Sequence, residues 1–120
     1  MLTHAAAFSK TQRLLKPADF KRVFEQRQSA HNAHFGVYAA NNEIGQPRVG
    51  LVVSKKVSKK AVVRNRIKRQ IRENFRLQQD LLGAKDFVVV AKAPLSAIAF
   101  DTITPQLQPL WFKAVKRCKR

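Results

Sequence analysis

The chain has 120 residues, of which 45% are hydrophobic, so it can build one domain with its own core and is too apolar for a disordered polyelectrolyte. Its 24 Lys and Arg residues outnumber seven acids, and the net charge of +17 indicates a polyanionic partner, either nucleic acid or an anionic membrane. We expect a single domain over residues 1–120, with 1–12 a flexible lead-in and 117–120 a basic tail.

The cysteine content and the lengths of the apolar runs indicate where in the cell the protein is found. Cys118 is the only cysteine, so an intramolecular disulfide is excluded, which suits a reducing cytosol. The first residues lack the basic-then-apolar order of a secretory signal, and the longest apolar run, 87–91, is too short to span a bilayer. These features predict a soluble cytoplasmic protein.

The first predicted helix opens at Lys16-Pro17, because proline is well tolerated at a first helical position. From there Phe20, Val23, Phe24 and Arg27 recur at steps of three and four residues and form one stripe. Aromatic stripes more often pack inward than contact a ligand. On the residues alone, both roles stay open for Phe20 and Phe24.

Three stretches have the pattern of β-strands. Alternation over 35–40 and over 48–53 predicts two strands, and the turn cluster 41–47 between them fits an antiparallel hairpin. A short strand near 30–33 is a further option. The continuous apolar run 87–91 is typical of a strand buried on both faces. With the helix that precedes it, this run predicts a βαβ unit.

Residues 54–76 carry ten Lys or Arg and one acid, Glu73, which is a net +9 of the chain's +17. The spacing predicts a helix that begins near Lys60 or Ala61, with Ser58 as its cap. At 100° per residue the helix has an apolar arc for the core and an opposite arc that holds cations outward. The apolar arc contains Val63, Ile67, Ile71 and Phe75; the opposite arc contains Asn65, Arg66, Lys68, Arg69, Arg72 and Arg76, with Arg64 at the boundary.

This charge pattern favours nucleic acid over a merely solvated face, and a membrane comes third. Like charges four residues apart, as in Arg64, Lys68 and Arg72, destabilise an isolated helix. Clustered cations gain free energy when they neutralise phosphates and release counterions. Asn65 adds a neutral donor and acceptor that can reach base edges or 2′-hydroxyls. The apolar arc is needed for the core, which argues against a membrane helix.

The C-terminal segment predicts a third helix packed on the sheet. Pro105 fits a first turn, whereas Pro109 predicts a kink or a late helix start. The apolar positions of this segment are Phe100, Ile103, Leu107, Leu110, Trp111, Ala114 and Val115.

No arrangement of residues predicts a protein-borne active site. A two-metal nuclease needs clustered acids, and here no two acids have an obvious shared site. His31 and His34 fall on opposite faces of an extended segment, which disfavours a metal site there. A glycine-rich phosphate loop and a serine with a nearby base are also absent from the sequence. The acids are Asp19, Glu25, Glu43, Glu73, Asp80, Asp86 and Asp101.

The stretch AVVRNRIKRQIR, residues 61–72, resembles the signature of the bacterial ribonuclease P protein subunit, including its Arg-Asn-Arg core. The likeness covers roughly residues 13–94 in the family's order, with Ser58 standing where many members have glycine. The other matching parts are Arg13-Leu14-Leu15, Asp19-Phe20 with Val23-Phe24, RVGLVVSKK at 48–56 and DFVVVA at 86–91.

The resemblance implies an α/β (α+β) two-layer sandwich of order αβββαβα, with a left-handed βαβ crossover. It implies a protein subunit that binds a catalytic RNA and the 5′ leader of precursor tRNA. The RNA partner, with Mg²⁺ that it chiefly binds itself, would hydrolyse the phosphodiester at the leader, and the protein would hold no intrinsic cofactor and no small-molecule substrate. A ribosomal-type structural RNA-binding protein without a role in cleavage is the alternative.

The charge pattern and the resemblance together imply two groups of binding residues and no catalytic or metal-binding residue in the protein. The RNA-subunit-binding group is Lys55, Lys56, Lys60, Arg64, Asn65, Arg66, Lys68, Arg69 and Arg72. The leader-binding cleft, between the first helix and one face of the sheet, is Phe20, Phe24, Phe35 and Tyr38. Aromatic rings stack on unpaired bases with little sequence preference, which suits leaders of varied sequence.

Overall fold

The computed structural model describes residues 12–14, 16–92 and 103–117. The element order is αβββαβα, which confirms the predicted mixed α/β fold. The elements are α1 (Pro17–Gln26), β1 (Gln28–His31), β2 (Phe35–Asn41), β3 (Arg48–Val52), α2 (Ala61–Leu82), β4 (Lys85–Ala91) and α3 (Ile103–Arg117). Phe100 and Cys118 lie outside the described residues.

The four strands form one sheet in the order β1-β2-β4-β3. β2 pairs antiparallel with β1 and β4, and β3 pairs parallel with β4. The predicted hairpin between β2 and β3 is therefore wrong, because β4 lies between them. The apolar run of β4 explains this position: a strand with both faces apolar is most stable at the centre of the sheet. The predicted βαβ unit is confirmed as β3-α2-β4, and its handedness stays a prediction.

The two faces of the sheet are covered by hydrophobic cores of different size. Alternate residues Phe35, Val37 and Ala39 of β2 face the larger core, which also contains the buried sides of α2 and α3. The residues between them face a smaller core beneath α1. That smaller core consists of Leu14, Val23, Ala40 and Val88, with half-buried Phe20, Tyr38, Val52 and Val90 around it. α2 and α3 thus form the main helical layer, and α1 lies on the opposite face.

The ends of α2 differ in part from the prediction. The helix begins at Ala61 as expected, but Lys60 occupies the N-cap position and makes no side-chain cap. Ser58 instead accepts a hydrogen bond at Oγ from the backbone N–H of Lys60, at 3.2 Å, so it stabilises the preceding turn rather than the helix end. Gly83 ends the helix at a φ of 76°, a conformation that glycine adopts without strain.

α3 begins at Ile103, so the late start predicted from Pro109 is wrong. Pro105 lies in the first turn, as predicted, and Pro109 lies inside the helix on its exposed side. The buried side carries Trp111, whose ring packs against Phe75 and Phe87 at centroid distances of 5.7 and 5.4 Å. These three rings attach both helices of the main layer to the centre of the sheet.

Candidate nucleic-acid interface

The basic residues of α2 do not all point the same way. Asn65, Arg66 and Arg69 are exposed on the outward side of the helix, as the arc analysis predicted. Ile67, Ile71 and Phe75 are buried beneath them, so the helix is fixed in rotation by its core contacts. The outward residues are therefore held at defined positions on a rigid support.

The loop before α2 extends this surface toward β3. Lys55, Lys56 and Lys60 are exposed there. Arg64 is half-buried, and its Nη1 donates a hydrogen bond of 2.9 Å to the carbonyl oxygen of Ser58. This bond ties the loop to the first turn of the helix. We call the exposed set Lys55, Lys56, Lys60, Asn65, Arg66 and Arg69, together with Arg64, the basic face.

Lys68 and Arg72, which were predicted on the outward arc, are half-buried and line a pocket of about 220 Å³. The pocket lies between the segment that precedes α1, strand β3 and helix α2. Its lining residues include no acid. They are Arg13, Leu14, Phe20, Val49, Gly50, Leu51, Lys68 and Arg72. Burial and the charge of nearby Arg13 lower the pKa of Arg72, and an anion in the pocket would relieve the repulsion between the two cations.

Arg13 is a member of this pocket that the sequence did not single out as a site residue. Leu14, which follows it, donates its backbone N–H to the carbonyl of Val49 at 2.9 Å, and Arg13 forms a parallel bridge with the same residue. The segment before α1 therefore runs along the outer edge of β3. Only this non-local pairing brings Arg13 beside α2.

An aromatic surface lies on the α1 side of the sheet. Phe24 is 36% exposed and packs edge-to-face on half-buried Tyr38, with ring centroids 4.8 Å apart. Phe20 is half-buried over Gly50, where a Cβ atom would lie 2.5 Å from its ring. The sequence left open whether Phe20 and Phe24 are core or surface, and the structure leaves a part of each ring accessible. We define the aromatic surface as Phe20, Phe24 and Tyr38.

Phe35 does not belong to this surface, and that part of the predicted cleft is wrong. Its side chain is 0% exposed and lies in the larger core, on the other face of the sheet. The physical reason is the period of a strand: residues 35 and 38 are three apart, so their side chains point to opposite faces. With Tyr38 facing α1, Phe35 has to face α2 and α3.

Asp86 holds α1 against the sheet through a buried network that the sequence analysis missed. This carboxylate is 0% exposed and accepts two hydrogen bonds from Arg48 of β3, at 2.8 and 2.7 Å, and one from Asn42 at 2.8 Å. Arg22 of α1 completes the network with an ion pair to the same carboxylate. The hydrogen bonds that Arg48 donates to Asp86 raise the pKa of Arg48. In the sequence, the sign of this network was a single acid at the start of an otherwise apolar strand.

Metal-binding clusters and membrane-spanning helices are both absent from the described residues. Within residues 12–14, 16–92 and 103–117, no three His, Cys, Asp or Glu side chains come together as a metal-binding group. In the same ranges, no helix is both long enough and apolar enough to cross a membrane.

Comparison with known proteins gives a consistent result. A family model described as Ribonuclease P matches residues 8–115. The ribonuclease P protein component of Aliivibrio fischeri is 44% identical over 106 residues, which are 88% of this chain and 91% of that protein. The solved structure of the Staphylococcus aureus RNase P protein is 40% identical, with a TM-score of 0.81 over 92% of this chain and 100% of that one. The Thermotoga maritima RNase P protein is 31% identical, with a TM-score of 0.72 over 90% and 98%.

Proposed function

The chain belongs to the ribonuclease P protein family, and on this premise we propose that it binds the catalytic RNA and the 5′ leader of precursor tRNA and promotes removal of the leader. The observation that carries the proposal is the acid-free pocket between the two surfaces, because Phe20 of the aromatic surface and Lys68 and Arg72 of α2 line it together. Lys68 and Arg72 in this pocket would neutralise a phosphate of RNA bound at either surface.

The basic face is proposed to bind the RNA subunit. Arg64, Arg66 and Arg69 of this face stand on a helix whose opposite side is buried, so their positions are set before the RNA arrives. Each Lys or Arg that meets a phosphate releases condensed counterions, which gives affinity that falls steeply with salt. Asn65, between Arg64 and Arg66, offers hydrogen-bonding groups that a purely cationic surface lacks.

The aromatic surface is proposed to bind the leader. Accessible edges and faces of Phe20, Phe24 and Tyr38 offer stacking positions for unpaired bases. Stacking requires only a π-face, so leaders of different sequence are accepted. The network around Asp86 fixes α1 over the sheet, so the spacing between helical and strand rings is maintained.

Cleavage itself is proposed to be carried by the RNA subunit with its Mg²⁺, in the cytoplasm. The basic face presents cations, whereas Mg²⁺ prefers carboxylate, phosphate and water oxygens as ligands. RNA supplies phosphate oxygens in quantity. The protein then contributes affinity and positioning rather than the chemical step.

Reconstitution with a bacterial ribonuclease P RNA tests this proposal. We expect the protein alone to leave precursor tRNA intact and to stimulate cleavage by the RNA at low Mg²⁺ concentration. Binding to ribosomal RNA without any effect on leader removal would instead support the ribosomal-type alternative. Preferential binding to anionic vesicles in competition with RNA would support a membrane function.

A combined Arg64→Ala, Arg66→Ala and Arg69→Ala variant tests the division between the two surfaces. We expect weaker assembly with the RNA subunit and a salt dependence of log K whose slope is lower by about 2 to 3, since each lost phosphate contact removes about one. Lys113→Ala with Lys116→Ala, on the exposed side of α3, is the control and should keep the slope. A defect limited to leader-bearing substrate in the α2 variant would contradict the assignment.

A further inference from the structure

His31 continues the row of rings on the aromatic surface. Its imidazole packs edge-to-face on Tyr38, with centroids 5.2 Å apart and an interplanar angle of 86°. Phe24 contacts Tyr38 in the same manner, at 4.8 Å and 79°. Three rings in succession therefore run from α1 across β2 to the edge strand β1, and His31, at the outer end, is exposed.

The pairing register places His31 in a row of residues that crosses the sheet and that α1 covers only in part. His31 faces Gly36 of β2, Gly36 faces Val90 of β4, and Val90 faces Val52 of β3. Val90 and Val52 are only half-buried and belong to the rim of the smaller core. This row is an apolar floor beside the aromatic surface, with the imidazole at one end.

Gly36 makes room for the imidazole. A Cβ atom at this position would lie 2.6 Å from Nδ1 and 2.8 Å from Cε1 of His31, so any other residue would displace the ring. The opposite ring nitrogen, Nε2, lies 3.0 Å from the hydroxyl oxygen of Ser29. The ring is therefore held at a defined place over the floor by Ser29, Gly36 and Tyr38.

Positive charge surrounds the outer end of this row. Nζ of Lys92 donates a 2.9 Å hydrogen bond to the carbonyl oxygen of Asn32, the residue after His31. Partial burial, with the charges of Lys92 and Arg117, lowers the pKa of His31, which favours the neutral form of its imidazole. Tyr38 and Ser29 also contact the ring. A neutral ring can stack on a base, while the nearby cations attract the phosphates beside that base.

We propose that His31 provides an additional stacking position for one unpaired base of the leader, at the β1 end of the row, with Lys92 and Arg117 attracting the adjoining phosphates. The inference rests on the proposed function of the aromatic surface and assigns it one more nucleotide. The ligand class is single-stranded RNA, because an exposed π-face beside cations matches the stacking and electrostatic features of single-strand sites.

The experiment uses the reconstituted holoenzyme and precursor tRNAs that carry an abasic nucleotide at each leader position in turn. We expect His31→Ala to weaken binding of leader-bearing precursor about five- to tenfold, the lower part of the range for losing one base–aromatic stack. Binding of mature tRNA should be unchanged. One leader position should show an abasic penalty in the natural protein that disappears in His31→Ala.

Three further variants sharpen the result. His31→Phe keeps a π-face and should restore the abasic penalty. Gly36→Ala displaces the ring and should reproduce part of the His31→Ala defect. His34→Ala, a half-buried histidine outside the row of rings, is the matched control and should behave as the natural protein.

The outcomes separate this inference from the function on which it rests. Loss of leader preference in Tyr38→Ala, with His31→Ala unchanged, overturns the role of His31 and leaves the leader surface in place. Unchanged leader preference in both variants contradicts the proposed leader surface itself. If His31→Ala proves unstable in urea, His31→Phe is compared with the natural protein instead. An abasic penalty that is the same at every leader position, and that does not depend on residue 31, overturns the inference.

Discussion

The two helices that carry the proposed RNA contacts, α1 and α2, are attached to the sheet by different physical means. α2 spans 22 residues, and Ile67, Ile71, Phe75 and Leu82 bury one whole side of it in the larger core. α1 spans ten residues, of which only Val23 is fully buried. Its attachment depends in addition on the ion pair between Arg22 and Asp86.

This difference matches the two proposed roles. A helix that is buried along its length can support many like charges, because core packing compensates for their repulsion. A short helix with a small core leaves its aromatic residues partly accessible, so they can stack on bases. If α2 is firmly attached to the sheet and α1 only lightly, substitutions in the larger core should cost more stability than substitutions on α1.

Phe75→Ala should have the largest effect on stability. The ring is buried among Phe87 and Trp111, and its removal leaves a cavity that should lower the free energy of unfolding by about 4 kcal/mol. Phe24→Ala on α1 is the matched control, and it should cost about 1 kcal/mol because it loses mainly one edge-to-face contact. Urea denaturation measures both, and equal losses would contradict the comparison.

Asp86→Asn should rank second. The change removes the charge that Arg22 and Arg48 share, and we expect a loss of about 3 kcal/mol in the free energy of unfolding, as for a broken buried ion pair. Asp80→Asn, at an exposed acid of α2, should change stability by less than about 0.5 kcal/mol. Because Arg22 anchors α1, Asp86→Asn should also reduce leader preference more than RNA-subunit affinity. A selective loss of RNA-subunit affinity would contradict this.

Gly50→Ala should have a moderate effect. The new Cβ would lie 2.5 Å from Cζ of Phe20, so the ring has to move out of its place over β3. We expect a stability loss of about 1 to 2 kcal/mol from overpacking, together with weaker discrimination between precursor and mature tRNA. Phe20→Ala should give the same loss of discrimination without the steric strain. Full leader preference in both variants would remove Phe20 from the aromatic surface.

Glu73→Gln should have the smallest effect. The hydrogen bond from Arg76 lowers the pKa of Glu73, so the pair stabilises the fold above the ordinary glutamate pKa, and that contribution is lost as pH falls through the lowered value. Thermal denaturation across the acidic range should show that the variant loses slightly less stability than the natural protein as pH falls. Glu25→Gln, at an exposed carboxylate of α1, controls for removal of one negative charge. Identical profiles for both variants would show that the pair contributes nothing measurable.

Much of the fold and part of the site could be predicted from local patterns. The spacing of Ile67, Ile71 and Phe75 defined the buried side of α2, and the run in β4 predicted a central strand. The same kind of pattern did not predict that Lys68 and Arg72 line a pocket. Helical periodicity places a residue relative to its own helix, and it carries no information about the pocket that a distant segment builds beside that helix.

The charge on residues 54–76 favoured a nucleic-acid partner, and the stretch 61–72 with its Arg-Asn-Arg core indicated the family before the structure was known. The sequence also determined which residues share a side within each element, because that depends only on the local period. The separation of β2 from β3 by β4, and the meeting of Arg22 and Arg48 at Asp86, became visible only in the folded chain. Folding also brought His31 into the ring row. The contacts of Asp86 join residues far apart in the chain, and they follow from strand order, which the most apolar strand sets by taking the centre of the sheet. His31 and Tyr38 are close in the chain, and the register of β1 on β2 brings their rings together.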